Sequence, residues 1–267
     1  MTRFLLTTRL VDEVCKRNNV PFASSRPLCR RLEKLREAGL IQRDRLLING
    51  EFCYTLTKVG AGFVADTFGI TIPARACSAP RLNTQAHEFA LSQFLIKFFE
   101  DCEKLNVPIV QFWRDGQFMA KLDGARLVPD GLVLLRIRGK VRAFFLEMDR
   151  STQTSGVTGN ANAVVRQKFE LYQKMGRRLG EHDELKSFGV VSMRLMVVCL
   201  SERRLQNLCL VAEAVGMGKR CAFTCWPRLI EVRNPNSARG WDYLPANLLA
   251  ASLFSFSGRS PPKSILS

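Results

Sequence analysis

The sequence predicts an α/β (α+β) protein in two parts, a small helix–helix–hairpin domain followed by a larger mixed sheet flanked by helices. Helical periodicity over 7–38, followed by an Asn49-Gly50 turn signal, predicts the first part. Two strongly apolar strands within 126–150 and a strand–helix–strand order over 189–226 predict the second. With 267 residues and 46% hydrophobic content, the chain can bury the cores of two modest domains.

The first predicted domain covers residues 1–70. Apolar residues at helical spacing predict a helix over 7–17 and a second over 27–38, with Ser24, Ser25 and Pro27 at the start of the second. The Asn-Gly dipeptide favours a two-residue turn between two strands. A short helix after Thr57 closes this domain.

The strong positive charge predicts a polyanionic partner, most simply nucleic acid, and the alternative is a basic but unspecialised protein. The formal net charge is +16 and the isoelectric point is about 9.9. Because the basic residues are spread along the chain and form no tail, the binding surface must be created by folding.

Composition argues against a secreted or membrane protein. Nine scattered cysteines, an odd number, do not predict a disulfide framework, and Cys221 and Cys225 have no nearby partners for a zinc site. The apolar run near the start is too short for a secretion signal, and no stretch is long enough to span a bilayer. We therefore expect a cytoplasmic protein that does not contact membranes.

The second predicted domain covers residues 85–226, between a linker over 71–84 and a C-terminal extension over 227–267 whose end we expect to be disordered. It begins with an amphipathic helix over 85–104. Its central hairpin turns at Arg138-Gly139-Lys140 and carries Asp130 on the first strand.

Glu147 and Asp149 lie on the second strand of this hairpin, and strand parity places them on one face. Pairing about the turn brings Asp130 close to both. Because three carboxylates in one corner repel each other, we expect either a divalent cation with oxygen ligands or a nearby cationic side chain. Lys168 is the candidate for that side chain, because it lies on the apolar stripe of a helix predicted over 161–179. The alternative is that Lys168 extends to solvent.

The stretch LCRRLEKLREAGLIQR…YTLTKVGAGFV resembles winged-helix DNA-binding domains, which implies double-stranded DNA as the partner. The resemblance implies that the 27–38 helix enters the major groove and that the hairpin touches the DNA backbone. The alternative is a helix that binds protein. The residues that the resemblance assigns to DNA are Arg26, Arg30, Arg31 and Lys34 on the helix, with Arg43 and Arg45 on the hairpin.

Residues 85–226 resemble the PD-(D/E)xK nuclease fold, the restriction-endonuclease-like architecture, through Pro129-Asp130, Glu147-Met148-Asp149 and a later lysine. The resemblance implies Mg²⁺ or Mn²⁺ held by the motif acids Asp130 and Glu147. Asp149 is a further candidate ligand, and the Met148 carbonyl is a candidate third oxygen. The sequence departs from this pattern at Asp149, where the fold's nucleases have lysine. Lys168 could supply that lysine, so the catalytic candidates are Asp130, Glu147, Asp149 and Lys168.

The whole chain resembles the replication-relaxation family, through the winged helix, LVPDGLV…FFLEMDRST…KFELYQK and the later SERRL. This implies a DNA-binding protein of a plasmid or other mobile element, acting in replication, relaxation or mobilisation. It also implies a relaxase or replication protein as partner, with a homodimer as a further expectation. The alternatives are an active Mg²⁺-dependent endonuclease of restriction or defence type, and a transcription regulator with an inactive nuclease-like domain.

Overall fold

The computed structural model describes residues 6–17, 20–45, 52–69, 72, 77, 82–114, 116–149, 161–199 and 201–225. The chain divides into two compact units, residues 1–100 and residues 101–267. The Asn49-Gly50 turn, most of the predicted linker and the whole predicted C-terminal extension lie outside the described residues.

The described residues of the N-terminal unit form a three-stranded antiparallel sheet, three helices and most of a fourth. Its elements before the long helix are β1 (Leu6–Thr7), α1 (Thr8–Arg17), α2 (Ser25–Glu37), β2 (Ile41–Arg45), β3 (Phe52–Leu56) and α3 (Lys58–Phe68). The sheet order is β1-β3-β2. The two predicted helices, the hairpin strands and the short helix are thereby confirmed to within one or two residues.

Local chemistry explains these boundaries. Leu28 and Leu32 of α2 are buried on one side of the helix, as its periodicity predicts. The Thr57 hydroxyl accepts a hydrogen bond from the Gly60 amide and caps α3. A Cβ on Gly60 would lie 1.8 Å from the Leu40 carbonyl oxygen, so only glycine lets α3 approach the start of β2 this closely.

The long helix α4 (Leu82–Lys104) confirms the amphipathic helix predicted over 85–104. Phe89 and Ile96 of α4 pack with Cys53 of β3 in a cluster of the N-terminal unit. The division between the units falls after Glu100, so most of α4 belongs to the N-terminal unit. The sequence had placed this helix at the start of the second domain.

The C-terminal unit contains a five-stranded mixed sheet in the order β10-β9-β8-β7-β4. Strands β4, β7 and β8 form an antiparallel meander, and β8, β9 and β10 are parallel. This confirms the predicted parallel pair in a mixed sheet. The strands are β4 (Ile109–Arg114), β5 (Ala120–Leu122), β6 (Ala125–Leu127), β7 (Gly131–Ile137), β8 (Lys140–Asp149), β9 (Val190–Cys199) and β10 (Cys221–Cys225).

Three helices connect these strands: α5 (Ala161–Arg177), α6 (Asp183–Ser187) and α7 (Glu202–Ala214). Helices α5 and α7 pack on one face of the sheet, where Phe145 of β8 and Leu195 of β9 meet Tyr172 of α5 and Leu208 of α7 in a single core. Arg138 and Gly139 adopt φ values of 52° and 75° in the two-residue turn between β7 and β8.

The structure corrects the predicted start of the central hairpin. Asp130 was predicted on its first strand, but β7 begins only at Gly131, so Asp130 immediately precedes the strand. The preceding residues 125–127 instead form β6, which pairs with β5 in a separate small hairpin that turns at Asp123-Gly124. Among the described helices, none is long and apolar enough to cross a membrane.

Candidate functional site

Helix α2 presents a basic surface to solvent. Arg26, Arg30, Arg31 and Lys34 are all exposed, whereas Leu28 and Leu32 are buried. The helix carries five basic and two acidic residues over Ser25–Glu37. The four residues that the sequence assigned to DNA on this helix are therefore accessible to a large partner such as a duplex.

The two hairpin arginines, Arg43 and Arg45, are also exposed. The Arg43 guanidinium lies 4.5 Å from the centre of the Phe52 ring, across the β2–β3 pair. Its Nη1 lies 3.4 Å from Oε2 of Glu33 on α2. Glu33 also accepts a 3.0 Å hydrogen bond from Nε of Arg36. Arg45 lies at the end of β2, next to Phe52 in the register.

The second candidate site lies where β7 begins and β8 approaches its end. The Asp130 amide donates to the Leu146 carbonyl oxygen, which holds Asp130 beside the adjacent strand. Oδ2 of Asp130 accepts a 2.8 Å hydrogen bond from the Met148 amide. Glu147 is buried between Leu146 and Met148, on the face that packs against α5. Strand pairing therefore brings Asp130 and Glu147 together, as parity predicted.

Glu147 is bonded through both carboxylate oxygens to α5. Oε2 lies 2.5 Å from Nζ of Lys168, and Oε1 accepts a hydrogen bond from the Tyr172 hydroxyl. The Lys168 side chain remains 41% exposed while its ammonium reaches inward to an acid that is 9% exposed. The predicted pairing of Lys168 with this acidic corner is confirmed, and the lysine extends along the edge of the buried face.

The electrostatics of this cluster follow from burial. Burial, together with the charge of Asp130, raises the pKa of Glu147 to about 7, against the opposing effect of Lys168 and Tyr172. Burial alone would lower the pKa of Lys168. The negative charges of Glu147 and Asp130 have the larger combined effect, so the pKa is raised. Burial and the Glu147 charge also raise the pKa of Tyr172. Tyr172 therefore stays protonated and can act only as a hydrogen-bond donor to a charged Glu147.

Asp149 has a different partner from Glu147. Its Oδ2 accepts hydrogen bonds of 3.1 Å from Nε and 2.7 Å from Nη2 of Arg204 on α7. Both side chains are 17% exposed, so the pair is well shielded from solvent. The Asp149 charge still contributes to raising the pKa of Lys168, which places it near the cluster. The two acids near the end of β8 therefore contact different helices: Glu147 contacts α5 and Asp149 contacts α7.

Sequence reasoning did not identify Arg204 as the partner of Asp149. The two residues are 55 positions apart, and only the fold places the start of α7 against the end of β8. Ser201 precedes α7, and its hydroxyl caps the helix by accepting a hydrogen bond from the Arg204 amide. The contacts of Glu33 were also missed, although its spacing of three from Arg36 on a helix predicts that pair.

The oxygen-rich donors of the acidic corner suit a hard cation. Mg²⁺ is commonly held by one or two carboxylates, with water and substrate phosphate completing its shell. Asp130 and Glu147 could supply those two carboxylates, with the Met148 carbonyl as a third oxygen. Within the described residues, no group of three or more His, Cys, Asp or Glu side chains is arranged to hold a metal ion. Any such ion would therefore rest on two side-chain ligands.

Comparison with known proteins gives one match. No curated protein and no solved structure matches this chain. The family model described as replication-relaxation matches residues 1–191, which include α2, the β7–β8 hairpin, Lys168 and Tyr172. A match over more than half of its length shows that the chain belongs to the replication-relaxation family.

Proposed function

We propose that the protein binds duplex DNA through its N-terminal unit and acts in the replication or relaxation of plasmid or other mobile-element DNA. Family membership supports the replication or relaxation role. The order of helix, helix and hairpin in a three-stranded sheet supports a winged helix with α2 as its recognition helix.

The observation that carries the proposal is the exposed basic surface of α2. Arg26, Arg30 and Lys34 follow one another at four-residue spacing and so lie along one side of the helix. Cations on one helix face neutralise phosphates and release the counterions that surround DNA. A helix that packs by Leu28 and Leu32 leaves this side free to lie in a major groove.

The experiment is a titration of the protein against a labelled random-sequence duplex at several salt concentrations. We expect binding whose affinity falls steeply with salt, because phosphate contacts dominate non-specific affinity. Absence of binding at low salt, or an affinity independent of salt, would contradict the proposal.

A second candidate function is Mg²⁺-dependent cleavage of phosphodiester bonds by the C-terminal unit. The antiparallel β4–β7–β8 meander, followed by α5 and parallel β9, supports the PD-(D/E)xK nuclease-like arrangement. The specific observation in its favour is the contact between Lys168 and Glu147, which lets a helix supply the lysine that β8 lacks. In this proposal Asp130 and Glu147 bind the ion, and Asp149 remains paired with Arg204.

In the proposed cleavage reaction, each residue of the acidic corner would have a separate role. A bound Mg²⁺ would lower the pKa of water and stabilise charge on phosphate. Tyr172 orients Glu147 through its hydroxyl, and the Met148 amide orients Asp130. The Lys168 ammonium contacts Glu147 while its side chain is 41% exposed, so it would be available to a phosphate or a water that approaches Glu147.

We predict that the protein nicks supercoiled plasmid in Mg²⁺ or Mn²⁺, and that Asp130→Ala, Glu147→Ala and Lys168→Ala each reduce nicking by at least about 100-fold, since each removes a ligand or charge needed in the transition state. Agarose gel electrophoresis of the relaxed and linear products measures the rate. Lys174→Ala, on the same helix but paired with Asp123, is the matched control. Equal nicking by the Asp130 and Glu147 variants would assign the activity to a contaminant.

A further inference from the structure

Glu33 is an acidic residue within the basic surface of α2, and its two oxygens contact cations of two different elements. Oε1 accepts from Arg36, one turn along α2, with 3.0 Å to Nε. Oε2 lies 3.4 Å from Nη1 of Arg43 in β2. Side-chain exposures of 38% for Glu33, 41% for Arg36 and 36% for Arg43 place the whole group at the surface.

Arg43 is held from a second side by an aromatic ring. Its guanidinium lies 4.5 Å from the centre of the Phe52 ring, and Phe52 is itself 46% exposed. The arginine is thus fixed between a carboxylate on α2 and a ring on β3. Stacking of this kind leaves the guanidinium edge available to hydrogen-bond acceptors.

We propose that Glu33 restrains non-specific DNA binding by occupying Arg36 and Arg43 until a DNA phosphate replaces its carboxylate. This inference rests on the proposed DNA binding. Carboxylate and phosphate are both bound by guanidinium in a planar, bidentate manner, so the two anions compete for the same donors. Exposed ion pairs are weak, and Glu33 can therefore be displaced in water.

The proposal gives the basic residues of this unit two different roles in DNA binding. Arg26, Arg30, Arg31 and Lys34 attract any duplex. Arg36 and Arg43 contribute only when the duplex contacts helix and hairpin together, because only then does a phosphate reach the position of the Glu33 carboxylate. Discrimination is a difference between affinities, and an internal competitor lowers the affinity for a poorly placed duplex more than for a well-placed one.

The test is the affinity of Glu33→Gln for a random-sequence duplex across a salt series. We expect binding about three- to tenfold tighter than that of the wild type at low salt, and a log–log salt slope steeper by about one to two, since one or two additional cations become available to phosphate. Glu37→Gln removes the same charge from the same helix without the contact to Arg43, and should change affinity by less than about twofold.

A double-mutant comparison separates the proposed route from a general charge effect. The gain from Glu33→Gln should vanish in an Arg36→Ala/Arg43→Ala background, because the cations that it releases are absent. A gain that persists there, an equal gain in Glu37→Gln, or no gain at all would overturn the inference. Those results leave the proposed DNA binding intact, whereas a wild-type protein that binds no duplex would remove both.

Discussion

Arg30→Ala/Lys34→Ala should bind duplex DNA roughly 10- to 100-fold more weakly than the wild type at about 0.1 M salt, with a salt slope shallower by about two. Both side chains lie exposed on the same side of α2. Each phosphate contact releases close to one counterion, so losing two contacts changes affinity and slope together. Fluorescence anisotropy over a salt series measures both quantities.

The matched control for this variant removes two positive charges elsewhere. Lys58 and Lys104 are exposed and lie outside α2, so Lys58→Ala/Lys104→Ala has the same net charge. We expect that control to lose less than about threefold. If the control loses as much affinity as the α2 variant, overall charge and not the helix surface explains the binding.

Lys168→Met should destabilise the protein in a pH-dependent way. The pKa of Glu147 in the folded protein is about 7, above its ordinary 4.5. An acid whose pKa is raised by folding contributes stability fully below the unfolded pKa, and this is lost as pH rises through the folded pKa. Lys168 limits that loss by pairing with the ionised Glu147, so its removal should matter most above pH 7.

We expect Lys168→Met to cost about 1–3 kcal/mol at pH 8 and less than about 1 kcal/mol at pH 5, as measured by urea unfolding. This free-energy cost is well below the cost of breaking a fully buried ion pair, because the lysine side chain is 41% exposed to solvent. In a Glu147→Gln background the difference between the two pH values should disappear. Lys174→Met on the same helix should show little pH dependence, since its partner Asp123 is exposed. Equal costs for Lys168→Met at both pH values would contradict the assigned pairing.

The parts of the fold that depend on local periodicity could be predicted from the sequence. Helical phase identified Leu28 and Leu32 as buried and placed Lys168 on the side of α5 that faces the acids. Strand parity placed Asp130 and Glu147 on one face. Each inference uses residues within a single element or two elements joined by a tight turn, where geometry leaves few alternatives.

Contacts between distant elements could not be predicted in the same way. The Asp149–Arg204 pair requires the crossover that brings β9 beside β8 and α7 onto the same face as α5. Strand parity relates Asp149 only to its neighbours in the hairpin, and it therefore predicts that Asp149 lies with the other acids. The small β5–β6 hairpin was missed for another reason. Its strands have three residues each, too short for alternation to show, although Asp123-Gly124 is a recognised turn signal.

Ultraviolet crosslinking to a photoreactive duplex, followed by peptide mapping, tests the placement of DNA on α2 and the adjoining hairpin. That placement predicts crosslinks concentrated within Ser25–Glu37 and Ile41–Arg45, and their loss in Arg30→Ala/Lys34→Ala. Crosslinks confined to residues 101–225, with α2 peptides unmodified, would contradict it.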